Sequence, residues 1–191
     1  MSRINQIGDT NLFVGTSQSV HVAKENGIEV IVNVANDLND PHIDGLKYHK
    51  VGLHDGDNND VYEYAAAAKI VLGALNHGKK VLLHCHEGRS RSAAVAIIAL
   101  AFLESKKPRI APVCPSCGQA KHKHSDFLVV TDSVYPQVGG YIGSAKKILF
   151  ESRPLCEKMN EQHDKHLKGA VLFLGPGPAP IVYPENWIVT Y

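Results

Sequence analysis

A chain of 191 residues, 44% of them apolar, can bury one sizeable core and is short for two full domains. Its 20 basic and 19 acidic side chains nearly cancel, which argues against a globally basic nucleic-acid or membrane-surface binder and leaves any anion recognition to a local arrangement. Four cysteines are too few for a disulfide scaffold, so Cys85 and Cys156 read as reduced thiols and Cys114 with Cys117 as a candidate metal pair.

The opening stretch MSRINQIGDT lacks the apolar core of a secretory signal, and no apolar run reaches the roughly 18 residues needed to cross a bilayer. The expectation is an intracellular, cytoplasmic protein with no membrane partner. NLFVGTS and GIEVIVNVAN are short runs rich in β-branched and aromatic residues and read as strands. Between them SVHVAKENG predicts a short helix stopped at Gly27. LKYHKVGL alternates as a further strand, and Gly56, Asn58 and Asn59 break it into a loop, which leaves Asp55 at a strand end.

The alanine-rich, periodically apolar segment from Val61 to Asn76 predicts a helix, with Gly78 placed to end it. KVLLHC reads as a buried strand, and RSAAVAIIALAFLESKK, apolar nearly all round, as a helix deep in the core. This succession implies an α/β fold, a central mixed and mostly parallel sheet flanked by helices. Residues 108–141 change character, with prolines, glycines and the basic KHKH, and read as an insertion between two helices. Helical periodicity returns in SAKKILFESRPLCEKMNEQHDKHL, and the tail carries a Pro/Gly hinge between two strand-like ends, suited to an extra edge hairpin or to binding a partner. The expected organisation is a catalytic domain over 1–168 and an extension over 169–191.

The stretch HCHEGRSRS, residues 84–92, links the buried strand to the buried helix. A loop entering a helix gathers unpaired backbone N–H groups, and the helix dipole adds partial positive charge, so this is an anion cradle. The same field favours the thiolate of Cys85 at its mouth, and Arg91 can grip two phosphoryl oxygens through its planar fork. A metal site built from His84, Cys85 and His86 would need side chains on opposite faces of a strand end to converge, which strand alternation opposes. A solvated basic turn would need neither the thiol nor the glycine.

Cys85, Gly88 and Arg91 fit the Cys-x5-Arg signature, and the stretch resembles the loop of the cysteine-dependent protein phosphatases, in particular their dual-specificity branch. NLFVGTS, GIEVIVNVAN and YHKVGLHD resemble the opening strands of that family in the same order; the likeness is good over residues 8–107 and looser over 142–167. It implies the cysteine-dependent phosphatase fold and Cys85 as the nucleophile that forms a cysteinyl-phosphate intermediate. It further implies Arg91 on the equatorial oxygens, Ser92 hydrogen-bonded to the sulfur, and His84 supporting the loop from behind. The backbone of His86, Glu87, Gly88, Arg89, Ser90 and Arg91 would bind the remaining oxygens. The family's general acid lies some thirty residues before the cysteine, where Asp55 stands; Asp57 and Asp60 share that loop, but Asp55 follows YHKVGLH as the family acid follows its strand. No metal or organic cofactor is needed for this chemistry. Glu87 and Arg89 depart from the small and aliphatic residues often found at their positions, which bears on substrate preference more than on the reaction.

Three classes follow. The first is a phosphatase acting on phosphotyrosine and phosphoserine or phosphothreonine in protein partners. The second is an RNA 5′-phosphatase of the same mechanistic group, for which the basic KHKH and KKPR segments give the only support, since such residues more often keep a surface soluble. The third is a non-catalytic phospho-binding module. The low-molecular-weight class carries its cysteine ahead of its acid, the reverse of Asp55 and Cys85. Within the insertion, Cys114, Cys117 and His122 have Cys-x2-Cys-x4-His spacing, with Phe127 where a zinc knuckle places its last cysteine; His124 or Cys156 would have to complete a structural zinc site, and the alternative is a polar loop with two thiols.

Overall fold

The four strand runs read from the sequence pair into one five-stranded sheet with a short fifth strand, Ile4–Gln6, that was not read there. In the computed structural model, which describes residues 4–56, 59–106, 109–110, 134–152, 167, 170, 174 and 181–182, the strands are β1 (Ile4–Gln6), β2 (Leu12–Gly15), β3 (Val30–Ala35), β4 (Lys47–Leu53) and β5 (Val81–His84). Their order is β1-β2-β5-β3-β4, with β1 antiparallel to β2 and every other pairing parallel. The sheet is therefore mixed and mostly parallel, as expected. β3 and β5 are buried along their whole length, the continuous apolar pattern of strands covered on both faces.

Helix α1 (Val61–Asn76) has the boundaries read from the sequence, and Gly78 supplies the left-handed conformation (φ +70°) after its last turn. Asp60 caps this helix: its carboxylate accepts from Tyr62 N at 3.2 Å while Glu63 Oε2 accepts from Asp60 N at 2.9 Å. That reciprocal capping box satisfies two helix-start donors, and Asp-x-x-Glu ahead of an apolar run was its signature. Helix α2 (Arg91–Lys106) is buried from Ala93 through Ala101, and it packs between α1 and α3 (Val134–Ser152).

Three readings are refined. SVHVAKENG forms no α-helix but two 3₁₀ segments, Ser17–Val22 and Lys24–Asn26, a geometry favoured where only one or two turns fit; Gly27 (φ +70°) does end them. Residues 134–141, read as part of the insertion, belong to α3; Pro136 sits in its first turn, where a missing N–H leaves no intrahelical bond unmade. The tail contributes no edge hairpin to the main sheet among the described residues: β7 (Ile181–Val182) pairs in parallel with β6 (Arg109–Ile110) as a separate two-stranded sheet. Among the described residues no helix is long and apolar enough to cross a membrane.

Two regions of the fold converge on the end of β5. The N–H of Ser17, just past β2, donates to the carbonyl of His86 at 3.0 Å, tying the β2 exit to the loop after Cys85. Gly15 permits that approach: a Cβ there would lie 2.6 Å from Ser19 Oγ and 2.7 Å from Ser19 Cβ, and Ser19 is fully buried with its hydroxyl accepting from Thr16 N at 2.9 Å. Gly15→Ala is expected to lower the unfolding free energy by about 1–3 kcal/mol, read from urea denaturation midpoints at constant m-value. An unchanged midpoint would contradict the close packing.

Candidate active site

Strand β5 ends at His84 between two parallel neighbours, so the following residues emerge at the C-terminal edge of the sheet, where open α/β folds hold their ligands. Residues 85–90 turn from β5 to α2, with Gly88 in the left-handed region (φ +65°) and Ser90 O accepting the first helical bond, from Ala94 N at 2.8 Å. Arg91 is the first helical residue, and the opening turn of α2 faces the cysteine.

Cys85 is almost fully buried, and its Sγ lies 3.3 Å from the hydroxyl of buried Ser92. Arg91 is equally buried. Its Nη1 donates to Asp37 Oδ1 at 2.8 Å and to the Leu53 carbonyl at 3.2 Å, its Nε has no hydrogen-bond partner, and Asp55 Oδ1 lies 3.6 Å from Nε. The sequence-selected Cys85, Arg91, Ser92 and Asp55 thus come together at one sheet edge. His84 is fully buried, whereas His86, Glu87 and Arg89 are exposed. His84 and His86 turn toward different carboxylates, Asp40 and Asp37, so they do not converge with Cys85 on one point.

Asp55 is three-quarters exposed on the segment after β4. That segment is braced by Asn59, which is buried and accepts from His54 N at 2.7 Å while donating to the carbonyls of His54 (2.8 Å) and Gly56 (3.3 Å). Asp57 lies outside the described residues, and so do Cys114, Cys117, His122, His124 and Cys156 of the zinc reading.

Three residues were not singled out in the sequence: Asn33, Asp37 and Asp40; Asn59 was read only as a loop breaker. Asn33 is buried in β3; its Oδ1 accepts from Ala35 N at 2.9 Å and its Nδ2 donates to Leu38 O at 3.2 Å, beside an irregularity in the β3–β4 register. A polar residue inside VIVNVA was the visible signal. It folds the strand exit into a turn that carries Asp37 and Asp40 back to the cysteine loop. Asp37 bridges Arg91 and the Nε2 of His86, which donates to Asp37 Oδ2 at 3.1 Å. The Arg91 hydrogen bond, together with its charge and that of His86, holds the Asp37 carboxyl below the usual carboxylate range against the opposing effect of desolvation.

Residues 12–112 match the dual specificity phosphatase catalytic domain. The chain is 29% identical over 98 residues to human protein phosphatase Slingshot homolog 2, a match covering 49% of this chain and 7% of that protein. It is 28% identical over 88 residues to the putative tyrosine phosphatase 123R of Invertebrate iridescent virus 6, covering 46% of this chain and 60% of that one. The chain therefore spans less than two-thirds of either relative. In fold it is similar to a mouse putative dual specificity phosphatase complexed with zinc tungstate, with a TM-score of 0.62 at 20% identity over 90% of this chain and 87% of that one. The matched segment runs from β2 through the cysteine loop and α2 to just beyond β6 and takes in more than half of the chain, which belongs to the dual specificity phosphatase catalytic-domain family.

Proposed function

We propose that this chain hydrolyses phosphate monoesters on phosphotyrosine and phosphoserine or phosphothreonine of protein substrates, with Cys85 as nucleophile and Asp55 as general acid and base. The observation that carries this reading is the state of Arg91. A buried guanidinium normally has its donors satisfied, yet Nη1 is held by Asp37 and Leu53 while Nε has no hydrogen-bond partner. Two phosphoryl oxygens arriving along the remaining edge of the fork would satisfy it bidentately.

In the first step the Cys85 thiolate attacks phosphorus, the bond from phosphorus to the leaving oxygen breaks, and Asp55 gives that oxygen a proton. Arg91 and the N–H groups of the loop carry the charge on the equatorial oxygens through the transition state. In the second step water attacks the cysteinyl-phosphate, Asp55 takes the water's proton, and the S–P bond breaks to return the thiolate. Ser92, 3.3 Å from the sulfur, donates to it as it leaves. The chain's own side chains supply every proton transfer in this scheme.

Cys85→Ser is expected to abolish release of p-nitrophenol from p-nitrophenyl phosphate, and wild type to release phosphate from phosphotyrosine and phosphothreonine peptides. Release mainly from a 5′-triphosphorylated RNA would favour the RNA phosphatase instead, and a folded wild type that turns over no ester would make the cradle a binding site. Asp55→Asn should lower the rate by about 10²–10⁴-fold on alkyl phosphates, whose leaving groups need a proton, and far less on p-nitrophenyl phosphate. An equal loss on both would remove Asp55 from the acid role.

A further inference from the structure

Edge strand β4 and the second half of α1 enclose a groove of about 640 Å³ that the phosphatase chemistry does not use. Lys47 and His49 line it from β4, Lys69 and His77 from the helix side, and Val30, Ile70 and Ala74 give it apolar surface. Its one acidic residue, Glu29, is neutralised by Lys79, whose Nζ donates to Oε1 at 2.7 Å, and Asp44 beside the rim pairs with His42 at 3.2 Å. Among the described residues no carboxylate pairs with Lys47 or Lys69. Lys24 adds a further cation, its Nζ 3.9 Å from where a Cβ on the rim residue Gly45 would stand. Burial, and after it the charge of Lys47, hold the His49 imidazole below its usual range, so this wall already disfavours added positive charge. Gly73 keeps the α1 wall open. It is an exposed glycine inside a helix, a position where alanine would be more stable, and a Cβ there would meet nothing from the rest of the fold within 4 Å.

We propose that this groove is a docking site for an acidic, extended stretch of a protein substrate, with its carboxylates on Lys47 and Lys69 and an apolar side chain between them against Ile70 and Ala74. That the occupant belongs to a substrate rests on the protein phosphatase reading; that it is acidic rests on the unpaired lysines. Among the described residues no tyrosine, phenylalanine or tryptophan lines the groove, so it offers no aromatic face on which a nucleic-acid base would stack, and its apolar surface suits a peptide side chain. The groove lies apart from the cradle. β4 runs from Lys47 to Leu53, whose carbonyl accepts from Arg91, and at about 3.3 Å per residue the strand sets roughly 20 Å between them. A substrate chain with at least about six extended residues between its acidic stretch and its phosphorylated residue can therefore fill both. Docking then raises the effective concentration of the phosphate ester at Cys85 without any new contact in the cradle.

The experiment is fluorescence anisotropy of a labelled, unphosphorylated peptide of alternating glutamate and leucine, titrated with the full chain in excess orthovanadate. Binding is expected to persist with vanadate present and to weaken about tenfold when Lys47→Glu and Lys69→Glu are combined, both side chains being exposed. Gly73→Leu fills the groove without changing its charge; it is expected to weaken binding as much while its melting midpoint stays at or above that of wild type. In turnover, joining the acidic segment to a phosphotyrosine peptide through a six-residue spacer should raise kcat/KM about tenfold, a gain absent from both variants, which cleave the unextended peptide like wild type. No binding by wild type, displacement by vanadate, or wild-type affinity in the charge variant would overturn the proposal. So would a loss confined to the charge variant, which would assign the attraction to the general field of the surface, and tighter binding of a single-stranded RNA through the same lysines. If the peptide binds as expected and wild type turns over no phosphate ester, the phosphatase reading fails and the acidic-peptide site stands.

Discussion

A guanidinium that is 3% exposed cannot be left to solvent, and the way Arg91 is compensated organises the site. One nitrogen reaches the carbonyl of Leu53 at the end of β4 and the carboxylate of Asp37 after β3, while the residue itself opens α2. Three elements distant in sequence are thereby fixed against one cation. The orphaned Nε is the remainder of that arrangement, and it lies where an anion would complete the set. Burial makes the missing partner costly, and the same burial would make a bound phosphoryl group's hydrogen bond strong.

The sheet accounts for why these groups meet at all. With β5 in the middle and parallel strands on both sides, the C-terminal ends of β2, β3, β4 and β5 open on one edge, and each delivers part of the site. β2 delivers Ser17, which ties down the His86 carbonyl; β3 delivers Asp37 and Asp40; β4 delivers Leu53 and Asp55; β5 delivers His84 and Cys85. The helix that follows brings Arg91 and Ser92 on its first turn and is anchored by a core face of small and branched residues from Ala93 to Ala101. The apolar character of RSAAVAIIAL is therefore part of how the cradle is held in place. Chemistry and packing are shared between adjacent residues of one helix.

What the sequence made legible was local. The Cys-x5-Arg spacing, the strand runs and both ends of α1 depend on residues within a turn or two of one another, and these agree with the structure. Asp55 could be placed at a strand end because Gly56 breaks the alternation immediately after it. Asp37 and Asp40 could not be found this way: they reach Arg91 and His84 across 54 and 44 positions of sequence, through a turn that one buried asparagine folds. The 3₁₀ geometry of residues 17–26 turned on length rather than propensity. The start of α3 was hidden by Pro136, which reads as a breaker unless it is known to occupy a first turn, and the β6–β7 pairing joins two dipeptides too short to carry a pattern.

The central claim is that Cys85 becomes covalently bonded to phosphorus. Rapid mixing with a ³²P-labelled phosphotyrosine peptide, quenching in denaturant and peptide mapping would test it most directly, using Ser92→Ala beside wild type so that the second step is slowed and the intermediate accumulates. The account requires label on the peptide containing Cys85 within the first turnover, more of it in Ser92→Ala, and none in Cys85→Ser. Phosphate release by both active forms with no label on Cys85 at any time would mean that water attacks the ester directly, and the thiol at the mouth of the cradle would have another purpose.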